Sequence, residues 1–456
     1  MVLDPIFQPF IQQKPVCVMA RAALQRILDP QRLDQLFART AQRQYTHALL
    51  FSALVDLMGR VVFGLEPSVN AAYRVLAPRL PVSDQAIYDK LQRVELAVAA
   101  ALVRDAAQRV APVLHALRAT LPPWLPGYRV KILDGNHLQA TEHRLPELRT
   151  TWAAPLPGKV LAVLDQETMT VTDVLLTEDG QAQERSLLEE VYPLVQPGEV
   201  WVADRNFCTL GLVWALADRG GFCVLRQHGS LKGAPASRRR LCGRCDTGRV
   251  YEQGLRLGNA AGEVRQVRRI TVVLDQPTRE GDTEIHILTN LPAADASAVR
   301  VAELYRRRWT IEGLFLEAAQ TLDCEIATLC YPKAALFAFC LGLLACNAVA
   351  LLKGALRAVH GEEAVGQRLS AYYLVLEIKN TYVGMMVAIP PPYGAVFNTL
   401  SDGEMAQTLH ELAGHVSLER YRKTPRGPKK PPPKRRRYRN GEHIATSKVL
   451  AERKKQ

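Results

Sequence analysis

Residues 305–312 read Tyr-Arg-Arg-Arg-Trp-Thr-Ile-Glu, and this stretch decides how the rest of the chain is interpreted. The stretch is predicted to be helical, and a helix brings residues three and four apart onto one face. The residues that share this face are Tyr305, Arg308, Trp309 and Glu312. A guanidinium suits a phosphate, an indole face suits an unstacked base, and a carboxylate suits a divalent metal ion. The combination favours phosphodiester chemistry on DNA, and the alternative is an amphipathic helix with a solvated basic face.

The positive charge of the chain is concentrated at its C-terminal end. The 456 residues carry a formal net charge of +13. Residues 420–456 hold 15 of the 58 Lys and Arg residues and 2 of the 45 Asp and Glu residues, so the remainder, with 43 of each sign, is formally neutral. Residues 421–456 are predicted to form a disordered basic tail, because a run of Pro, Lys and Arg cannot bury a core. Such a tail attracts a polyanion, and it has no amphipathic or lipidation pattern, so nucleic acid is favoured over a membrane surface.

Cysteine usage and the N-terminal residues favour a cytoplasmic protein. The nine cysteines show no disulfide-like framework, and residues 1–14 lack a charged start followed by an apolar run. Residues 334–352 contain no charged side chain and are long enough to cross a bilayer. Because the segment stands alone and is rich in Ala and Cys, a buried helix of a large domain is the favoured interpretation, and no membrane association is expected.

The hydrophobic pattern changes along the chain and predicts an α/β protein with helical regions at both ends. Residues 1–121 have helical spacing and are predicted to form an all-α N-terminal DNA-binding domain. Pro and Gly at 122–127 mark a boundary. Residues 128–356 alternate strands and helices and are predicted to form a mixed-sheet catalytic domain, interrupted by a β-rich insertion at about 222–291. Residues 357–420 are predicted to form a helical C-terminal region.

A helix-turn-helix is one interpretation of residues 68–92. Ser83 is placed to cap its second helix. That helix would present Gln85, Tyr88, Asp89 and Gln92 to a DNA groove. The alternative is a plain helical hairpin.

Three carboxylates are placed where a metal site would need them. Asp134 and Asp204 each follow a predicted strand, and Glu312 lies on the helix after the insertion. Acids at the carboxyl ends of strands open onto one crevice. Three such ligands suit Mg²⁺ or Mn²⁺, and two ions would activate the attacking oxygen and stabilise the leaving one. Each acid has an ordinary alternative: a turn for Asp134, a helix cap or a pair with Arg205 for Asp204, and a pair with Arg308 for Glu312. Asp165 competes with Asp134 for the first position.

The chain resembles the bacterial insertion-sequence transposases of the Asp-Asp-Glu type, which have a ribonuclease H-like catalytic fold. It is similar to the subgroup marked by Y-x2-R-x3-E-x6-K, because Tyr305, Arg308 and Glu312 match in type and spacing. Asp134 within Ile-Leu-Asp-Gly-Asn-His-Leu resembles the first acid of that family, and Asp204 within Val-Ala-Asp-Arg-Asn-Phe resembles the second. A β-rich insertion between the second Asp and the Glu also fits the family.

The resemblance implies a function, a cofactor and partners. The reaction would be metal-dependent cleavage at the ends of a mobile element and strand transfer into target DNA, with Asp134, Asp204 and Glu312 as catalytic ligands of two Mg²⁺ or Mn²⁺ ions. A hairpin intermediate is common in the subgroup. A homodimer would pair two element ends, in a bacterial, nucleoid-associated protein. The residues expected to contact DNA are Tyr305, Arg308, Trp309, Arg306, Arg307, Gln320, Lys434, Arg435, Arg436 and Arg437.

One position departs from the signature. The chain has Ala319 where the subgroup has a lysine that contacts the DNA backbone, and Gln320 beside it is only a neutral donor. The alternative function is therefore a catalytically weakened or non-cutting DNA-binding derivative. A rival zinc site at Cys242 and Cys245 lacks a second pair of ligands at a suitable spacing, so unligated cysteines are favoured there.

Overall fold

The computed structural model describes residues 3–44, 48–278, 281–322, 324–424 and 443–455, with side chains described for all of these except residues 316–321. The first part is helical, as its spacing predicts. Ser68, Ser83 and Asp29 cap three of the helices by accepting a backbone N–H three residues ahead. The N-terminal helices are α1 (Gln8–Gln13), α2 (Pro15–Ile27), α3 (Pro30–Thr40), α4 (Phe51–Val62), α5 (Val69–Leu76), α6 (Asp84–Leu91) and α7 (Leu96–Ala116).

The centre of the molecule is a large mixed sheet. Its strands are β1 (Arg129–His137), β3 (Lys159–Asp165), β4 (Thr170–Thr177), β5 (Glu199–Ala203), β6 (Phe222–Arg226), β7 (Ala234–Pro235), β8 (Arg240–Cys245), β9 (Gly248–Gly258), β10 (Val264–Leu274) and β11 (Glu284–Thr289), while β2 (Ala154–Leu156) lies outside it. The order is β4-β3-β1-β5-β6-β11-β10-β9-β7, with β8 paired to β9. The β1 strand is antiparallel to β3 and parallel to β5, and β5 is parallel to β6.

This mixed α/β arrangement is compatible with a ribonuclease H-like fold. Strands β3 and β5 are buried along their whole length, since helices cover both faces of the sheet. Ile132 on β1 packs in the cluster of α7, and Leu133 packs in the cluster of α9 (Leu210–Asp218), as alternation along a strand requires. Between β4 and β5 the chain forms only short helical turns, among them α8 (Leu188–Val191).

The β-rich segment extends the central sheet. Strand β6, at the start of the predicted insertion, pairs in parallel with β5, and β11 pairs antiparallel with β6. The remaining strands follow outward through β10 and β9. The region that departs from the core sheet therefore begins after β6, and the domain limits given above remain predictions.

The chain returns to helices after β11. These are α10 (Ala298–Arg306), α11 (Thr310–Thr321), α12 (Pro332–His360), α13 (Ala371–Ala388), α14 (Pro391–Gly394), α15 (Val396–Thr399) and α16 (Asp402–Gly414). Helix α12 contains the apolar segment 334–352. By length and composition it is the one helix of the described residues that could cross a membrane, and its most apolar stretch is wholly buried within the protein. It packs on α2, α4, α7 and α16.

Residues 443–455 differ from the predicted disordered tail. Strand β12 (His443–Ala445) pairs in parallel with β2, and α17 (Thr446–Arg453) follows it. Val449 is buried in a small cluster with Leu145 and Leu148. Apolar residues after the Pro-Lys-Arg run therefore pack on the catalytic part of the chain. The prediction of disorder rested on the composition of the whole tail, which does not distinguish this last segment from the basic run. Lys434, Arg435, Arg436 and Arg437 lie outside the described residues.

The two helices of the predicted helix-turn-helix are present as α5 and α6. On the proposed reading face of α6, Gln85 is exposed and donates to Asp89 at 2.9 Å. Tyr88 and Gln92 line a cavity that Arg144 and residues 328–331 also line. The helix-turn-helix and the DNA-binding role of the N-terminal region remain predictions.

Candidate active site

The first two acids are neighbours because of strand register. Strands β1 and β5 are parallel, and Leu133 stands opposite Ala203, so the next residues, Asp134 and Asp204, lie side by side. Asp134 is not at a strand end or in a turn, because β1 continues to His137 and Asp134 pairs with Ala162 of β3. Asp204 follows the last residue of β5, as predicted.

The third acid approaches from α11, which packs against β1. Ile311 is fully buried in the same cluster as Ile132, so the helix is held on the face of β1 toward which Asp134 also points. The 3-10 turn Arg307–Trp309 joins α10 to α11, so the signature stretch is two helical segments rather than one.

A buried arginine links the first and third acids. Arg308 Nη1 donates to Asp134 Oδ2 at 2.7 Å, and Arg308 Nη2 donates to Glu312 Oε1 at 2.8 Å. Tyr305, one helical turn earlier, donates its hydroxyl to Asp204 Oδ1 at 3.3 Å. The three acids are thus connected through Arg308 and Tyr305. The ordinary alternative for Glu312, a pair with Arg308 four residues earlier, is what the structure contains.

Burial is the largest influence on the pKa values of the side chains in this cluster. Burial raises the pKa of Asp134 to about 6, against the opposing effect of Arg308 and of the Gly135 N–H bond. Burial alone would lower the pKa of Arg308, but Asp134 and Tyr305 raise it. Burial and then Asp204 raise the pKa of Tyr305 to about 12. Buried carboxylates whose pKa is shifted by desolvation and a specific charged partner cluster at functional sites.

The donor chemistry fits a hard divalent cation, although the present side-chain arrangement does not form a ligand cluster. All three side chains supply carboxylate oxygens, the donors that Mg²⁺ and Mn²⁺ prefer. Among the described residues, no group of three or more His, Cys, Asp or Glu side chains converges closely enough to hold a metal ion. In this arrangement Arg308 donates to both Asp134 and Glu312.

Residues 125–347 match the family model of the transposase DDE domain. The matched segment contains all three acids, Tyr305 and Arg308. This match supports a DDE transposase and a transposition-related nuclease activity that acts on DNA. DDE transposases generally use divalent metal ions. None of the curated proteins is similar enough to the chain to count as a match.

A fourth carboxylate in the matched segment lies beside Asp134. The Glu184 side chain covers Gly135 so closely that a Cβ there would stand 2.4 Å from Glu184 Oε1. Asn206 donates to Glu184 Oε2 at 3.4 Å. Glu184 also contributes to the raised pKa of Asp134. Nothing in the sequence around Glu184 marks it, whereas Asn206 belongs to the Asp-Arg-Asn-Phe motif that identifies the second acid.

The other residues of the signature stretch have partners outside the three acids. Trp309 is 62% exposed, and the Arg308 guanidinium lies 5.3 Å from its ring centroid. Arg307 lies over the ring of Trp124 at 5.4 Å. Arg306 pairs with Asp246 at 2.8 Å. Tyr305, Arg306 and Trp309 also line a pocket of about 400 Å³ against the β-rich segment.

Three other candidates do not join the site. Asp165 is fully buried at the end of β3, where it pairs with Lys131 at 2.9 Å and accepts from Thr168, so its role is structural. Cys242 and Cys245 lie on β8, and their sulfurs contact Glu252 and Thr247. Gln320 is on α11, but its side chain is outside the described set.

Proposed function

We propose that the protein is a DNA transposase that cleaves the ends of an insertion sequence and joins the freed 3′-hydroxyl to target DNA. The observation that carries the proposal is the linked set of Asp134, Asp204 and Glu312, with Arg308 bridging two of them inside a transposase DDE domain. Three carboxylates and a buried arginine fork, with an exposed tryptophan next to that arginine in sequence, suit a phosphodiester backbone better than a small neutral substrate.

Each residue has a proposed part. Asp134, Asp204 and Glu312 are the ligands for two Mg²⁺ or Mn²⁺ ions, which when bound stabilise charge on the attacking and leaving oxygens. Arg308 turns from the acids to a DNA phosphate, because its planar fork can donate to either a carboxylate or a phosphate. Tyr305 keeps Asp204 oriented through its hydroxyl.

The flanking residues would hold the DNA. Trp309 offers an exposed ring face to a displaced base, above a pocket that has room for one. Arg306 and Arg307 contact the backbone, and Gln320 is a neutral donor nearby. The basic run at Lys434, Arg435, Arg436 and Arg437 binds DNA without sequence preference. Cleavage through a hairpin and synapsis by a homodimer belong to the same proposal.

A non-cutting derivative is the second candidate, and Ala319 in the place of the signature lysine favours it. Such a protein would keep DNA binding and lose cleavage. Because all three acids are present and linked, we favour the active enzyme.

The test compares Asp204→Asn with the wild type on DNA that carries the ends of the element, with Mg²⁺. Asn keeps the shape of Asp and removes its charge, so we expect cleavage to fall by at least about 100-fold while binding persists. The control is Asp218→Asn, at the end of α9, where Asp218 pairs with Arg265 outside the cleft. Equal cutting by both variants would remove Asp204 from the site. A wild-type protein that binds the ends without cutting them would favour the second candidate.

A further inference from the structure

A groove of about 800 Å³ runs along the side of α11 that faces away from the acids. Thr310 and Leu314 line it, and each stands two positions from Glu312, so they project from the opposite side of the helix. The other walls come from the second half of α12, the start of α13 and residues 423–424. The groove and the candidate active site are therefore separated by the width of a single helix, about 10 Å.

The lining of the groove combines cations with aromatic rings. Lys353, Arg357 and Lys423 outnumber its one acid, Glu362. Tyr372 and Tyr373 stand on its rim, 52% and 37% exposed, with ring centroids 5.4 Å apart. Exposed aromatic rings beside a positively charged channel are how proteins hold unpaired nucleic acid strands, because every base has a face that can stack.

The walls of the groove are tied together. Ser370 N donates to Tyr421 O at 2.7 Å, and Lys423 Nζ donates to Gly366 O at 2.8 Å. The Tyr373 hydroxyl is 3.1 Å from Thr424 Oγ1. In sequence, Thr424 is followed by residues 425–442, which contain eight Lys and Arg residues and one Glu. The positive charge of the groove thus continues along the chain, which suits a polyanionic ligand.

We propose that this groove binds an unpaired DNA strand next to the phosphate that is cut, with a base stacked on Tyr372 or Tyr373. The strand would leave the acids, pass the exposed Gly313 and enter the groove. The identity of the strand as DNA next to a cut rests on the proposed transposase function. The binding of an unpaired strand rests on the cations and aromatic rings that line the groove.

The first test measures binding of a fluorescent oligothymidylate to the double variant Tyr372→Ala/Tyr373→Ala in EDTA. Moderate salt is used to weaken contacts made by charge alone. We expect affinity for the single strand to fall about tenfold, which corresponds to about one stacked base, while duplex binding stays unchanged. Tyr393→Ala is the matched control, because Tyr393 is 42% exposed, lies on α14 and does not line the groove. It should bind like the wild type.

The second test locates the strand directly in the wild-type protein. Photo-crosslinking with an oligonucleotide that contains 5-bromodeoxyuridine should attach to the peptide that carries Tyr372 and Tyr373. Unchanged affinity of the double variant, with crosslinks confined to other peptides, would overturn the proposal. Because neither test needs catalysis, a wild-type protein that fails to cut DNA would refute the proposed function without affecting this result.

Discussion

At the scale of single residues, two aspartates on neighbouring strands have pKa values shifted in opposite directions. Asp165 is surrounded by donors, and although burial alone would raise its pKa, Lys131 and Arg129 lower it to about 2. Asp134 has one strong partner in Arg308, and burial raises its pKa to about 6. Both follow an apolar strand-like run in the sequence, so only their neighbours in space distinguish a structural acid from a candidate ligand.

Asp165 should make stability depend on acid pH. Its pKa in the folded protein lies below the ordinary value of 3.8, so the ionised group stabilises the fold above about pH 4. This contribution, about 2 kcal/mol, disappears as pH falls from about 4 toward 2. We expect Asp165→Asn to unfold at lower urea concentration at pH 7, and the difference from the wild type to shrink below pH 4. Asp56→Asn, an exposed change on α4, should show little difference at either pH. A constant difference across this range would contradict the assignment.

At the scale of elements, α12 closes the open edge of the sheet. Strand β4 is an edge strand, so some of its backbone groups have no partner strand. The Asn347 side chain of α12 bonds to two of these groups: Oδ1 accepts from Val171 N at 2.8 Å, and Nδ2 donates to Val171 O at 3.0 Å. Asn347 therefore has hydrogen-bond partners within the apolar stretch 334–352, as a buried amide requires.

Replacing this amide should destabilise the protein without creating a large cavity. Asn347→Leu keeps the number and branching of the side-chain heavy atoms but leaves the Val171 N–H and C=O without the partners that Asn347 supplies. We expect the free energy of unfolding, measured by urea titration, to fall by about 2 kcal/mol or more. Leu344→Met, a volume-conserving change of a buried residue one turn earlier, should cost less than about 1.5 kcal/mol. A variant as stable as the wild type would show that the edge does not depend on Asn347.

At the scale of the whole molecule, the basic end of the chain has two parts with different roles. Residues 425–442 carry most of the local charge, and residues 443–455 form β12 and α17, which pack on β2 and on Leu145 and Leu148. Truncation of the whole end would therefore disturb folding and DNA binding together.

Substitution of the eight Lys and Arg residues in 425–442 by Gln separates these effects. We expect weaker binding to all DNA, with a salt dependence flatter by about 0.9 in log–log slope for each phosphate that these side chains no longer neutralise. Thermal stability should not change. Deletion of 443–456 should instead lower thermal stability, because it removes β12 and α17. An unchanged salt slope in the Gln variant would show that residues 425–442 do not bind DNA.

Most of the helices and strands, and the candidate acids, could be predicted from the sequence alone. Helical spacing predicted the N-terminal helices, buried runs predicted β3 and β5, and local motifs singled out Asp134, Asp204 and Glu312, because these signals depend only on residues close together in the chain. The tertiary structure decided what lies beside each acid. Glu184 comes within reach of Asp134 from 50 positions away in the sequence. Arg308 sits between two acids that are 178 residues apart in sequence. Strand register and helix packing create such contacts, and no local pattern encodes them.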